Sequence, residues 1–285
     1  MKRADTDVAE LAELLDGACV VARQAGAVVM DIYQNQAYET YAKDDESPVT
    51  SADYAANQVI IDGLTALDKT IPILSEEGSH LSLDERQQWS RYWLIDPIDG
   101  TQEFIAGSGD FGIVIALVEQ SQPGQHLPVL GVIYWPATAT LYCAQRGQGA
   151  VKISAAGTER LQVRQFSQPE QEAITIAMSR RQPPARVLQR MSAARSYTTV
   201  ATGSCSLKAC LVAEGSADCF LRVGPTGEWD TAAAEVIVGE AGGRIVDEYF
   251  QPLSYNRETS LGNPNFIVLG DAKVPWQQVF THHLG

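Results

Sequence analysis

From residue 7 to residue 33, Val8, Leu11, Leu14, Leu15, Ala18, Val21, Ala22, Ala25, Val28, Val29 and Ile32 recur at helical spacing. This stripe predicts a long amphipathic helix. Residues 37–50 are polar and irregular, and Ser47-Pro48 reads as loop or extended chain entering a second helix over 52–67. Short extended segments at 71–75 and 92–95 each end in carboxylates. Segments 111–119, 129–135, 140–144 and 150–153 are rich in Val, Ile and aromatic residues and are separated by Gly and Pro. They predict consecutive strands of an antiparallel sheet. After a polar stretch at 155–172 the pattern alternates: strand 173–177, helix 184–193, strand 197–201, helix 206–214, strand 217–221 and helix 231–241. Alternation of this kind predicts an α/β sheet. The expected organisation is an α+β domain over residues 1–160 and an α/β domain over 161–285.

A chain of 285 residues with 45% apolar and 20% charged positions has the composition of a globular protein with a substantial core. Its formal net charge of −14 opposes binding to nucleic-acid polymers or anionic lipid. A phosphorylated substrate would therefore need local cations, either bound metals or a few Lys and Arg side chains. The five cysteines form no C-x-x-C pair and lie mostly in apolar runs, as buried reduced thiols do. The first residues turn acidic where a signal peptide needs its apolar core, and no run approaches the ~18 apolar residues of a membrane span. A cytoplasmic protein without an integral membrane segment is expected.

Four segments carry candidate chemistry. In Asp96-Pro97-Ile98-Asp99-Gly100-Thr101, an apolar run delivers Asp96 at a strand end, Pro97 stops sheet pairing and Gly100 permits a tight reversal. The two carboxylates and the Ile98 carbonyl are oxygen donors of the kind Mg²⁺ takes, and an Asp-Pro turn with a helix cap is the structural alternative. Leu74-Ser75-Glu76-Glu77 again ends an apolar strand in acid groups, which alone reads as solvated surface. In Gly227-Glu228-Trp229-Asp230-Thr231, Asp230 stands before an apolar helix, as its N-cap or as a carboxylate brought to a cleft between the domains. In Ser47-Pro48-Val49-Thr50-Ser51-Ala52-Asp53, preceded by Lys43, Ser51 or Asp53 is placed to cap the next helix.

Other matches carry nothing. Residues 107–112 spell G-x-G-x-x-G, but a β-type run follows where a dinucleotide site requires a helix. The four histidines lack zinc spacing, the Trp-Asp pair does not recur at propeller-blade intervals, and no G-x-S-x-G elbow appears.

In this order the four segments resemble the inositol monophosphatase superfamily of lithium-sensitive, Mg²⁺-dependent phosphatases, over residues 43–243. The motifs are D-P-I-D-G-T followed by Phe104, and W-D-T-A-A-A-E followed by E-A-G-G at 240–243. The resemblance implies a layered αβαβα sandwich of the inositol monophosphatase and fructose bisphosphatase type. It implies two or three Mg²⁺ ions held by Glu76, Asp96, the Ile98 carbonyl, Asp99 and Asp230. It also implies that Thr101, hydrogen-bonded to Asp53, helps Glu76 orient and activate the attacking water. Backbone amides near Gly100 and Thr101 would hold phosphate oxygens. Gln102-Glu103-Phe104 and Gly224-Pro225-Thr226 look like the 3′(2′),5′-bisphosphate nucleotidase branch, which releases the 3′-phosphate of adenosine 3′,5′-bisphosphate and of 3′-phosphoadenylyl sulfate. On that resemblance Lys43, Ser206, Lys208 and Arg222 join the metal segment as substrate contacts. Gln102, Gly227 and the spacing of Gly203-Ser204-Cys205-Ser206 depart from the branch pattern. An inositol or sugar phosphate phosphatase is the rival reading. A non-catalytic binding protein on this fold would be expected to have lost ligands, and all are present here. The expected partner is a small phosphorylated nucleotide rather than a nucleic-acid polymer; a homodimer and peripheral attachment to the inner membrane stay open.

Overall fold

The computed structural model describes residues 2–42, 48–79 and 81–280, and side chains from residue 8 onward. The N-terminal stripe forms α1 (Lys2–Asn35), which buries Leu14, Ala18, Val21, Ala22, Ala25 and Val29. An antiparallel ribbon of β1 (Thr40–Ala42) and β2 (Pro48–Thr50) follows, where the sequence suggested irregular chain with loop or extended backbone at Ser47-Pro48. Three-residue strands are too short to show alternation. Thr50 caps α2 (Ser51–Leu67), in place of the expected Ser51 or Asp53. Its hydroxyl accepts the Ala52 N–H at 3.2 Å, and the Asp53 carboxylate accepts the Thr50 N–H at 2.8 Å. This reciprocal arrangement leaves one oxygen of Asp53 free to face elsewhere.

Next come β3 (Ile73–Ser75), the short α3 (Leu83–Arg86), β4 (Arg91–Asp99), α4 (Thr101–Ile105), β5 (Gly112–Gln122), β6 (Gln125–Trp135), β7 (Thr140–Gln145), β8 (Gly149–Ser154) and β9 (Gly157–Arg160). They make a seven-stranded sheet in sequence order, with β3 parallel to β4 and every later pair antiparallel. The consecutive strands follow the sequence pattern, and β9 carries the sheet into the polar stretch at 155–172.

The remainder comprises β10 (Ile174–Ser179), α5 (Pro184–Leu188), β11 (Tyr197–Thr202), α6 (Cys205–Ala213), β12 (Cys219–Arg222), α7 (Ala232–Glu240), β13 (Arg244–Asp247), β14 (Phe266–Leu269) and α8 (Trp276–Val279). Their five-stranded mixed sheet runs β11-β10-β12-β14-β13. The helix expected over 184–193 ends at Leu188, because Met191 is drawn into a bridge with Phe280. The pattern did not give β13, where only Ile245 and Val246 are apolar, or β14, a four-residue apolar run that carries no period.

Burial defines five layers. On β4, Trp93 and Ile95 face a core shared with α1 and α2, while Tyr92 and Leu94 face one shared with α6 and α7. Burial on both faces explains the unbroken apolar run of this strand. The α6–α7 layer packs on its far side against Ala177, Phe220 and Val268 of the five-stranded sheet, whose outer face meets Val187 and Trp276 of α5 and α8. This is the αβαβα sandwich. Gly131 on β6 sets the closeness of the central layers, since a Cβ there would lie 2.3 Å from the Ala233 carbonyl oxygen of α7. All five cysteines are free, four of them buried. Among the described residues no helix is long and apolar enough to cross a membrane.

Candidate metal and phosphate site

β4 and β3 deliver their acids to one end of a parallel pair. Ser75 pairs with Ile95, and the Glu76 N–H donates to the Ile95 carbonyl at 3.1 Å, so Glu76 leaves the sheet beside Asp96. Asp96 and Asp99 are three apart, which in a regular strand would put them on opposite faces. Opposite them, Val114 and Gly112 on β5 are only two apart, so β4 carries a bulge of one extra residue. The bulge restores the two carboxylates to one side. Gly100 then turns the chain into α4 at a φ of 102°, where a Cβ would be strained and would meet the Asp110 carbonyl at 3.1 Å.

Asp230 comes from the other half of the chain. Rather than capping α7, whose N-cap is Thr231, it ends a 3-10 turn at Glu228–Asp230 and accepts the Gly227 N–H at 2.7 Å. Carboxylate oxygens of Asp96, Asp99 and Asp230 lie within 4.8 Å of one another. Burial, then the charges of Glu76, Asp99 and Asp230, push the Asp96 carboxyl well above the ordinary carboxylate range. Burial and the charges of Asp99 and Glu76 do the same to Asp230. Like charges converging out of water are unfavourable unless a cation joins them. An all-oxygen donor set rich in carboxylates fits a hard divalent ion.

A second cluster adjoins it. The Thr101 hydroxyl is shared between Asp53 Oδ1 at 3.1 Å and the Ile98 carbonyl at 3.2 Å. Burial raises the Asp53 pKa, while hydrogen bonds from Thr50 and Thr101 oppose the rise and the nearby Glu76 charge adds to it. Asp53, Glu76, Asp96, Asp99, Thr101 and Asp230 are thus gathered at one place. Ile98 buries its side chain in the core under α1 and α2, and its N–H donates to Asp96 Oδ1 at 3.0 Å.

The remaining candidates are disposed differently. Ser206 is buried and donates both its N–H, at 2.6 Å, and its hydroxyl to Asp99. Lys208 is 4% exposed and turns its ammonium to the carbonyl oxygens of Ser204 and Gly203, over the ring of Phe220. Burial lowers its pKa. Arg222 donates to the Pro225 carbonyl at 2.9 Å and leaves a buried Nε without a partner. Lys43 lies outside the described residues.

Sequence reasoning missed three neighbours. Ser204, at a φ of 53° that side-chain-bearing residues rarely adopt, donates to Asp99 and accepts the Leu207 N–H at 3.1 Å. Asp110 accepts the Gly203 N–H at 2.7 Å, the Thr202 hydroxyl at 3.0 Å and the Arg180 guanidinium. Arg181 pairs with Glu103 at 2.9 Å. Asp110 sat inside the discarded glycine-rich match, and the only local cue for the arginines was a charged pair at a strand end.

Comparison with known proteins identifies the family of this fold. The profile of the inositol monophosphatase family matches residues 10–269. The chain is 39% identical over 269 residues to the 3′(2′),5′-bisphosphate nucleotidase CysQ of Haemophilus influenzae, covering 94% of this chain and 96% of that protein. It is 40% identical over 256 residues to CysQ of Escherichia coli K12, covering 90% and 99%. Among solved structures, CysQ from Bacteroides thetaiotaomicron superposes with a TM-score of 0.71 at 33% identity, covering 90% of this chain and 97% of that one.

Proposed function

The chain belongs to the inositol monophosphatase family, and from that premise we infer that it is a metal-dependent 3′(2′),5′-bisphosphate nucleotidase using Mg²⁺. It hydrolyses the 3′-phosphate of adenosine 3′,5′-bisphosphate to give AMP and phosphate, and acts on 3′-phosphoadenylyl sulfate in the same way. The observation that carries the nucleotide reading is near-full-length identity of 39–40% to nucleotidases. Structures of inositol monophosphatases such as that of Thermotoga maritima match at 27%.

Glu76, Asp96, the Ile98 carbonyl, Asp99 and Asp230 would hold the two or three Mg²⁺ ions. The bound ions supply positive charge that neutralises the phosphate and makes a water more acidic. Because the Thr101 hydroxyl turns its proton to Asp53 Oδ1 and the Ile98 carbonyl, its oxygen is left to accept from an attacking water while Glu76 accepts from the other side. These contacts point a water lone pair at the 3′-phosphorus; as the water oxygen bonds to phosphorus the P–O3′ bond breaks, a water proton passes to Glu76, and the departing 3′ oxygen takes up a proton from solvent. Backbone amides at Gly100 and Thr101, where α4 begins, would donate to the phosphate oxygens and orient the ester.

The test is phosphate release by purified protein with Mg²⁺ from adenosine 3′,5′-bisphosphate and from inositol 1-phosphate. A much larger kcat/KM for the nucleotide is expected. A preference for the inositol ester overturns the nucleotide assignment and leaves the metal site standing.

A further inference from the structure

A bisphosphate substrate presents two anionic groups, and the carboxylate cluster, once metallated, answers only one. In a chain of net charge −14 the second phosphate must find a specific cation. Lys208 has its ammonium buried against two backbone carbonyls. Arg181 has the opposite character. It stands on the segment leaving β10, crosses to α4, and touches the residue immediately after Thr101: Nη2 donates to the Gln102 carbonyl at 2.7 Å and Nη1 to the Gln102 side chain at 3.0 Å. Nε donates to Glu103 at 2.9 Å. Glu103 is 9% exposed while the Arg181 side chain is 47% exposed. The buried carboxylate therefore fixes the guanidinium plane and the outer edge stays in water.

A guanidinium has five N–H donors, of which these bonds engage three, leaving one on each terminal nitrogen. Charge-assisted donors on a plane already oriented by the protein suit recognition of a phosphate. Neighbouring Arg180, anchored on Asp110, ties the same segment to the turn that carries Gly203. The segment is thus held at both residues against the rim of the acid cluster. We propose that Arg181 is the specificity-determining cation of this enzyme, binding the substrate phosphate that is not hydrolysed, through the outer N–H groups left free by Glu103 and Gln102. The inference rests on the nucleotidase reading.

The test compares adenosine 3′,5′-bisphosphate with adenosine 3′-monophosphate, which lacks the second phosphate, in wild type, Arg181→Gln and Arg181→Lys. Removing a charge-assisted contact at an exposed site is expected to lower kcat/KM for the bisphosphate about ten-fold in Arg181→Gln, mostly through KM, with the monophosphate changed less than about two-fold. Arg181→Lys, which keeps the pair with Glu103, is expected to recover part of the discrimination. Equal losses on both substrates in both variants would show a purely structural staple and overturn the proposal. So would a wild-type enzyme indifferent to the second phosphate, although 3′-nucleotidase activity itself would then stand. Wild-type hydrolysis of inositol 1-phosphate with neither nucleotide cleaved is the separate result that removes the nucleotidase reading and this inference with it.

Discussion

The end of β4 and the loops that cover it from the five-stranded sheet are both densely charged, yet they handle charge in opposite ways. At the end of β4, Asp96 and Asp230 are buried among further carboxylates, and among the described residues only the Arg222 charge partly offsets them, at Asp230. In the covering loops nearly every charge is answered internally: Arg180 by Asp110, Arg181 by Glu103 and Lys208 by backbone carbonyls. The first region is electrostatically incomplete and is finished by what binds there. The second is largely answered from within, apart from the outer N–H groups of Arg181 and the Arg222 Nε, and adjusts what approaches. Chemistry should reside in the first, and substrate choice in the second.

The sharpest way to break that contrast is Asp96→Asn. It removes one of the four carboxylate charges of the cluster while keeping size, and is expected to cost about 10³-fold in kcat with the fold intact. Near-normal turnover with Mg²⁺ present would mean the cluster is a structural knot. Thr101→Val comes next. It removes the hydroxyl that Asp53 orients, and the expected loss is about 10²-fold in kcat with KM for substrate little changed. A loss confined to KM would move Thr101 from orienting water to holding phosphate.

Incompleteness also has a thermodynamic signature. Unfolded, Asp96 and Asp230 titrate near ~3.9; folded, both are raised. Below the unfolded value both states are protonated and the groups contribute nothing to the difference. As pH rises, the unfolded chain releases its protons first, so stability falls until the folded groups ionise. In EDTA the melting temperature is therefore expected to decline between pH 5 and pH 8. Saturating Mg²⁺ should raise it more at pH 8 than at pH 5, by about 2–3 kcal/mol of stability at a hundred-fold excess over its dissociation constant. A Mg²⁺ shift of equal size at both pH values would contradict the assignment of the raised groups to the metal cluster.

This difference between regions governs what the sequence could reveal. The acids and turn of the β4 segment were legible because they lie within ten residues and Glu76 stands at the end of the neighbouring strand, but the bulge was not: Pro97 was expected to stop sheet pairing, whereas β4 runs on to Asp99, which pairs with Gly112. Asp53 was found as an acid but with the wrong cap, since only the fold shows Thr50 and Thr101 dividing its two oxygens. Asp230 was found with the wrong local geometry, because a 3-10 turn of three residues leaves no periodicity. The covering loops were almost illegible. Asp110, Arg181 and Ser204 are joined to partners about 70 to 105 residues away, and no local pattern encodes such pairings. Lys208 illustrates the cost of reading a position without its rotamer, because the sequence offers a cation and the fold turns it inward.

Lys208 provides the mildest test and the most direct probe of the second region. A substrate-binding lysine and a buried strut make different demands on the same ammonium. As a strut, Lys208→Met loses two hydrogen bonds to the Gly203 and Ser204 carbonyls, but it also removes the desolvation that lowers the lysine pKa. The methionine fills similar volume against Phe220. These effects oppose each other, so the expected net cost is about 1 kcal/mol of stability by denaturant melt. KM for the bisphosphate should stay within about two-fold, since the variant keeps the outward charges of the loops. A ten-fold rise in KM at unchanged stability would place the ammonium on the substrate and move Lys208 from the self-satisfied region into the one that binding completes.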